Sequence, residues 1–408
     1  MQDSARGHLA AVTLDTLEVS SAATMKALRL DAKWDPKPGC TPALHKEENP
    51  LALVASQAWR SPSLSFRDIP VPHIGSHDVL IRVRACGVCG SDTHCLETDG
   101  AGFVLFSGMA RLPVTLGHEF AGEVAKVGTQ VRHLKVGDPV AAESCMWCGV
   151  CASCRSGHVN QCKAIDLLGF SRDGAFAEYV AIDEKHCWKL DSLCDQVGER
   201  NAYDAGALIE PIGCAYNGIF IAAGGFYPGS HVAVFGAGPI GLGAIMLARA
   251  AGAAKVFAFD PNEPRNKLAR ALGADFAGSP LNCSPSEVVR ELTRGVGVDM
   301  LIEAAGAASE TIPEMQKCFA PNGKLVFLGR HDTRSVVDFN PLVTGANTIV
   351  GARGHAGQGI FPAIIRLIAA GRLDALKMVT ATYPFKEAIA AVERSKQRRD
   401  GKILVRMP

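Results

Sequence analysis

Residues 231–260 read HVAVFGAGPIGLGAIMLARAAGAAKVFAFD. HVAVF is a short β-branched and aromatic run that predicts a buried strand. GAGPIG (236–241) breaks it, IGLGAIMLARAAGA has the composition of a helix, and KVFAFD predicts a second strand ending in Asp260. A G-x-G-x-x-G run alone is a weak signal. Between a strand and a helix, with an acid closing the next strand, it becomes a dinucleotide-binding fingerprint. Gly236 allows the tight turn, Gly238 lets the backbone approach a pyrophosphate, and Gly241 lets the helix pack on the strand. Pro239 and Ile240 complete the turn, and the helix start offers N–H groups and positive dipole to phosphates. Asp260 is expected to accept hydrogen bonds from the adenosine ribose and to repel a 2′-phosphate. That favours NAD over NADP, a preference that Arg265 softens.

The uncharged stretch 232–248 is nearly long enough for a membrane span. Its β-branched start and Gly/Pro cluster fit a strand, a turn and a buried helix instead. Strand–helix alternation then continues. A helix is predicted over 263–273, and Ser284 and Glu287 form a capping box opening a helix over 285–294. VDMLIEAAG (298–306) predicts a strand and turn, strands are predicted over 324–329 and 348–352, and TIPEMQKCFA is helical between the first two. Such alternation implies an open, doubly wound parallel sheet. From Gly354 the texture changes to an amphipathic helix, FPAIIRLIAAGRLD, and a tail ending GKILVRMP, expected to pack back on the first part of the chain.

Upstream, residues 25–75 are rich in proline and turn residues and predict irregular connections around short strands. From Asp78 the texture is β-rich. Within it lie RACGVCGSDTHC (84–95) and LPVTLGHEFAGEV (112–124). Cys89, His118 and Glu119 supply a thiolate, an imidazole and a carboxylate, donors that suit a catalytic Zn2+ with one position left open. A lone cysteine is also an ordinary small core residue, so this set gains weight only beside other metal-binding signals. Cys148, Cys151, Cys154 and Cys162 stand in a C-x2-C-x2-C-x7-C array. Four thiolates close a tetrahedral shell, the mark of a structural zinc. An iron–sulfur cluster or a redox pair are rival uses, but neither a thioredoxin pattern nor a Cys-Pro signature accompanies the array. Cys145 just before it is a bystander, unless the register slips by one ligand. Glu210 sits in the apolar run AGALIEPIGCAYNGI, directly before Pro211, where a carboxylate needs a partner, a metal or a route to solvent. It is expected as a zinc ligand or a close neighbour of one.

At 408 residues, two domains are the natural expectation. Apolar content of 48% and charged content of 20% describe an ordinary globular chain, and a net charge of +1 without like-charge blocks excludes nucleic-acid binding. Residues 1–24 lack a secretory pattern, because Asp15 and Glu18 interrupt the apolar run. With fourteen cysteines available as thiolates, the cytoplasm is the expected compartment.

GHE, the four-cysteine lobe, LIEP, GAGPIG and the terminal GKI together resemble the zinc-dependent medium-chain dehydrogenases over residues 25–406. The resemblance implies an α/β chain with a GroES-like, mostly-β catalytic domain (25–211), a Rossmann domain (212–350) and a return to the catalytic domain (351–408), after an extension over 1–24. It implies one catalytic and one structural zinc, NAD, and a homodimer or homotetramer joined through the Rossmann sheets. Cys89 and His118 match zinc ligands, and Glu119 matches the glutamate that ligates in some members and stands behind the metal in others. Ser91 and His94 match a proton relay, although His94 also reads as a solvated loop histidine, and Asp92 matches the acid that orients the histidine ligand. Glu210-Pro211 departs from the simple alcohol dehydrogenases and is similar to the polyol branch related to sorbitol dehydrogenase. WDPKPG, EKHCWKL, EPIGCAYN and GIFPAIIRLI are most similar to scyllo-inosose 3-dehydrogenases of bacterial inositol catabolism. The implied substrate is a cyclitol, polyol or sugar hydroxyl. A zinc dehydrogenase of simple secondary or amino alcohols, such as threonine, is the alternative. Segments 94–112 and Arg353–Gln358 are expected to line the pocket.

Overall fold

The computed structural model describes residues 23–40, 54–329 and 334–408. All but the last two residues of the expected N-terminal extension lie outside them. Six parallel strands form one sheet in the order Phe276–Gly278, Lys255–Phe259, His231–Phe235, Val298–Glu303, Phe319–Phe327 and Thr348–Gly351. Strand alternation shows why helices cover both faces. Val232 and Val234 join one core with Leu242, Ile245, Ile212 and Phe361, while Ala233 and Phe235 join another with Phe257, Leu301 and Met315. A strand buried on both faces reads as a continuous apolar run, as HVAVF does. The stretch 232–248 is accordingly a strand, a turn and the helix Pro239–Ala250, and among the described residues no single helix is long and apolar enough to cross a membrane.

Helix ends fall slightly short of the sequence expectation, at Ala271 and Leu292. Ser284 accepts from the Glu287 amide at 3.4 Å; the cap is made by the hydroxyl.

A second, mixed sheet has the order Cys187–Lys189, Pro139–Ala142, Glu119–Val127, Asp78–Val88, Lys402–Arg406 and Val379–Pro384, with Tyr179–Asp183 also pairing Asp78–Val88. The C-terminal strand thus lies antiparallel to Asp78–Val88, with Leu404 opposite Gly87. Its core holds Leu28, Ile81, Val83, Phe120, Phe176 and Val405.

Residues 25–75 differ from the expectation of short strands. Thr24–Trp34 and Trp59–Pro70 form a long antiparallel pair. The turn residues that dominate this region cluster between and within the strands, and hide the period-two burial of Met25 and Ala27 against exposed Thr24 and Lys26.

Candidate active site

Antiparallel pairing of Asp78–Val88 with Glu119–Val127 sets Gly87 opposite Glu119. Cys89 leaves the end of one strand just where His118 enters the other. Gly117 makes that entry at φ +91, and a Cβ there would stand 2.7 Å from the Phe176 amide nitrogen, so only glycine fits. Cys89 caps the short helix Gly90–His94, where its amide donates to Asp92 Oδ2 at 2.9 Å. The ligand atoms of Cys89, His118 and Glu119 lie within 4.8 Å of one another.

His118 is buried, with Nδ1 3.5 Å from Asp92 Oδ1 and Nε2 3.4 Å from Ser91 Oγ. Burial works against a charged imidazole, but the anionic groups of Asp92 and Cys89 outweigh it and hold His118 well above its ordinary pKa. Such a pocket favours a cation. Glu119 Oε1 is buried without a hydrogen-bond partner, the kind of orphaned oxygen that a metal would satisfy. Its other oxygen pairs with Lys402, whose Nζ also donates to Val88 O at 3.1 Å. A carboxylate, a thiolate and an imidazole with these unmet demands fit zinc. His94 is less enclosed, its side chain 43% exposed and Nε2 3.8 Å from Glu97 Oε2.

Glu210 occupies the first turn of helix Ile209–Tyr216, which runs on as a π-helical segment, Asn217–Ala222. The structure groups it with Cys214 and His355, within 4.8 Å of one another, rather than inside the Cys89, His118 and Glu119 set. His355 Nδ1 is 2.9 Å from Glu210 Oε1. Burial alone would raise the Glu210 pKa; His355, with His118 and Lys402 beyond it, more than offsets this and leaves it low, at about 2.

The four cysteines also converge. Sγ of Cys151 is 3.6 Å from Cys154 and 3.9 Å from Cys162, and Cys148 is 3.6 Å from Cys162. With Zn–S bonds of about 2.3 Å, a tetrahedron has S–S edges of about 3.8 Å. Amide hydrogen bonds, first that of Cys154, bring the Cys151 thiol down to about 6, whereas burial pushes Cys154 up to about 12. Four sulfurs at this spacing could hold a tetrahedral metal ion. Cys145 is buried beside them but outside the ligand set.

In the nucleotide fingerprint, Gly236 has φ +92, and a Cβ on Gly241 would collide with Gly236 O at 1.8 Å. Those two glycines serve the protein's own packing. Gly238 is different: the nearest atom to its Cβ position is Arg265 Nη1 at 3.7 Å. No packing demand forbids a side chain there, so the open cradle fits a closely approaching dinucleotide. Pro239 and Ile240 open the helix, whose cap is Gly238. Asp260 is 2% exposed and already accepts from the Ala237 amide at 2.9 Å and the Asn262 amide at 2.8 Å. It therefore also fastens the fingerprint turn to the second strand. Arg265 Nη1 stands 3.7 Å from it.

Sequence reasoning missed His355, Lys402 and Ser144. The terminal GKI carries a signal for Lys402, but nothing local ties His355 or Ser144 to Glu210. Of the expected pocket segments, Arg353–Gln358 does meet the site, through His355.

Known protein families match both parts of the chain. The Alcohol dehydrogenase GroES-like domain family matches residues 75–192, and the Zinc-binding dehydrogenase family matches residues 239–370. The chain is 36% identical over 381 residues to scyllo-inosose 3-dehydrogenase of Thermotoga maritima, covering 91% of this chain and 96% of that protein. It is 34% identical over 353 residues to L-threonine 3-dehydrogenase of Symbiobacterium thermophilum, covering 84% and 94%. A solved Thermotoga maritima structure assigned as an alcohol dehydrogenase superposes with a TM-score of 0.88 at 36% identity, covering 94% of this chain and all of that one.

Proposed function

This chain belongs to the zinc-binding dehydrogenases with a GroES-like alcohol dehydrogenase domain, and from that membership we propose that it oxidises a secondary hydroxyl of a cyclitol, polyol or sugar to a ketone, with NAD+ as acceptor. Its substrate is a hydroxylated ring of the scyllo-inosose kind, in a step of inositol catabolism. The observation that carries this reading is identity of 36% across 91% of the chain with an enzyme named for that substrate. Glu210-Pro211 in place of a further cysteine ligand supports it.

Cys89, His118 and Glu119 or Glu210 hold the catalytic zinc, and Cys148, Cys151, Cys154 and Cys162 hold the structural one. Zinc held by these residues would supply Lewis acidity at a substrate hydroxyl, and NAD+ would be the hydride acceptor. Asp92 orients the His118 ring. Ser91, with Oγ 3.4 Å from His118 Nε2, takes the hydroxyl proton. His94 lies three residues on along the same short helix, hence on the same side, and passes that proton to solvent. Gly236, Gly238, Pro239, Ile240 and Gly241 seat the pyrophosphate, while Asp260 and Arg265 flank the adenosine ribose.

The free edge of the parallel sheet, Thr348–Gly351, has exposed Phe339 and Val343 nearby. These features support a homo-oligomer, a dimer or a tetramer, joined through that sheet. All fourteen cysteines are unpaired, which suits a cytoplasmic setting.

The test is product identification. Purified, zinc-replete protein incubated with scyllo-inosose and NAD+ should yield a dehydrogenated ring and NADH in equal amounts, detected by mass spectrometry. Oxidation of the threonine 3-hydroxyl to a ketone, with the ring untouched, would move the assignment to the amino-alcohol branch that the 34% relative represents.

A further inference from the structure

We propose that His355 is a positioning residue for Glu210, fixing one carboxylate oxygen so that the other faces the Cys89 and His118 side. This rests on the reading of Glu210 as a metal ligand or immediate neighbour of the metal. His355 is 1% exposed and its two ring nitrogens have different partners. The Ser144 backbone amide points at Nε2 at 3.1 Å. An amide N–H only donates, so Nε2 is the acceptor and the network places the ring proton on Nδ1. Nδ1 then donates to Glu210 Oε1 at 2.9 Å. Ser144 Oγ lies 3.4 Å from that same oxygen. Among the described residues, these contacts to Glu210 fall on Oε1, which orients the carboxylate and directs Oε2 elsewhere. A histidine that donates to a carboxylate near a metal is how outer partners set the direction of a ligand.

The ring is itself held from several sides. Its segment is pinned where Asn217 Nδ2 donates to Arg353 O at 3.0 Å and Gly354 O at 2.9 Å, and Asn160 Nδ2 donates to Arg353 O at 2.9 Å. Gly354 turns at φ +64, and Gly357 N donates to the buried Glu143 at 3.3 Å. Gly213, one turn along from Glu210, leaves the room that His355 fills: a Cβ there would stand 2.9 Å from His355 Cβ. Asn160 belongs to the four-cysteine lobe, so that lobe clamps the loop carrying His355.

The experiment compares His355→Phe, His355→Asn, Glu210→Gln and the double variant His355→Phe/Glu210→Gln as full-length protein. Zinc per chain and zinc affinity are measured by competition with a chromophoric chelator, and the visible spectrum is recorded after cobalt substitution. His355→Phe is expected to weaken the catalytic zinc by about 10–100-fold, to change the cobalt spectrum and to keep the structural zinc. His355→Asn, which retains one donor, should recover part of the affinity. The double variant should be no worse than Glu210→Gln, because the histidine acts through the glutamate. The parent's zinc affinity and cobalt spectrum in both histidine variants, beside altered values in Glu210→Gln, would overturn the proposal and leave the Glu210 assignment intact. Unchanged behaviour in Glu210→Gln would overturn both.

Discussion

Lys402 Nζ meets the carboxylate of Glu119 across 283 positions of sequence, and both side chains are almost fully buried. A paired buried charge is tolerated where an unpaired one is not. Lys402→Met therefore leaves the Glu119 carboxylate stranded and should cost about 3–5 kcal/mol of stability, read as a fall in denaturation midpoint. Adding Glu119→Gln should recover much of that loss. A double variant as unstable as Lys402→Met would show that lysine packing, not charge pairing, was at stake.

The four-cysteine lobe should behave as a separable metal centre. Cys151→Ser is expected to release one of two zinc ions and lower the thermal midpoint, because metal binding there is folding energy. Cys89→Ala should release the other ion, with a much smaller effect on that midpoint. Elemental analysis beside calorimetry separates the two; equal destabilisation by both variants would argue against this division of labour.

If Asp260 faces the adenosine ribose as proposed, besides holding the fingerprint turn, its substitution should have two effects. Asp260→Ser removes a negative charge from the adenosine side and also the acceptor of the Ala237 and Asn262 amides. The ratio of kcat/KM for NAD+ over NADP+ should fall by about tenfold or more, the equivalent of about 1.4 kcal/mol. KM for NAD+ should rise as the turn loosens. A steady-state comparison of the two cofactors measures both.

Asp400 accepts from both Arg394 Nε at 2.9 Å and Nη2 at 2.8 Å. Burial alone would raise its pKa, but Arg394, with Thr380, more than offsets this and leaves it lowered. A lowered carboxylate stabilises the folded chain above its unfolded pKa, and that stabilisation drains away as pH falls through the folded value. Asp400→Asn should thus cost about 1 kcal/mol near neutral pH, with parent and variant converging as pH falls from neutral through the folded value. Urea titrations across that range check it; a constant gap would contradict the ion pair as its source.

What the sequence made legible was whatever its residues carry locally. HVAVF, GAGPIG and KVFAFD announce strand, turn and strand because the period, the breakers and the closing acid all sit within one short window. The cysteine array is legible for the same reason. Residues 25–75 misled because proline and turn residues are counted locally, whereas the long pairing of Thr24–Trp34 with Trp59–Pro70 is a non-local event. His355 and Lys402 were illegible in their roles. Their partners Glu210 and Glu119 are brought to them by the return of the chain after Gly354; the GKI run marks Lys402 but does not name Glu119 as its partner, and nothing local marks His355. The staple that Asp260 makes to the Ala237 amide was not legible, since a backbone partner leaves no mark on the sequence.

The most direct measurement is kcat/KM for NADH formation on scyllo-inosose, myo-inositol, sorbitol, glucose, threonine and 2-propanol, with zinc-replete protein and NAD+. A preference of about a hundredfold or more for a cyclitol ring over threonine and 2-propanol is expected, or about 2.7 kcal/mol of discrimination. A preference of that size for threonine or 2-propanol would contradict it.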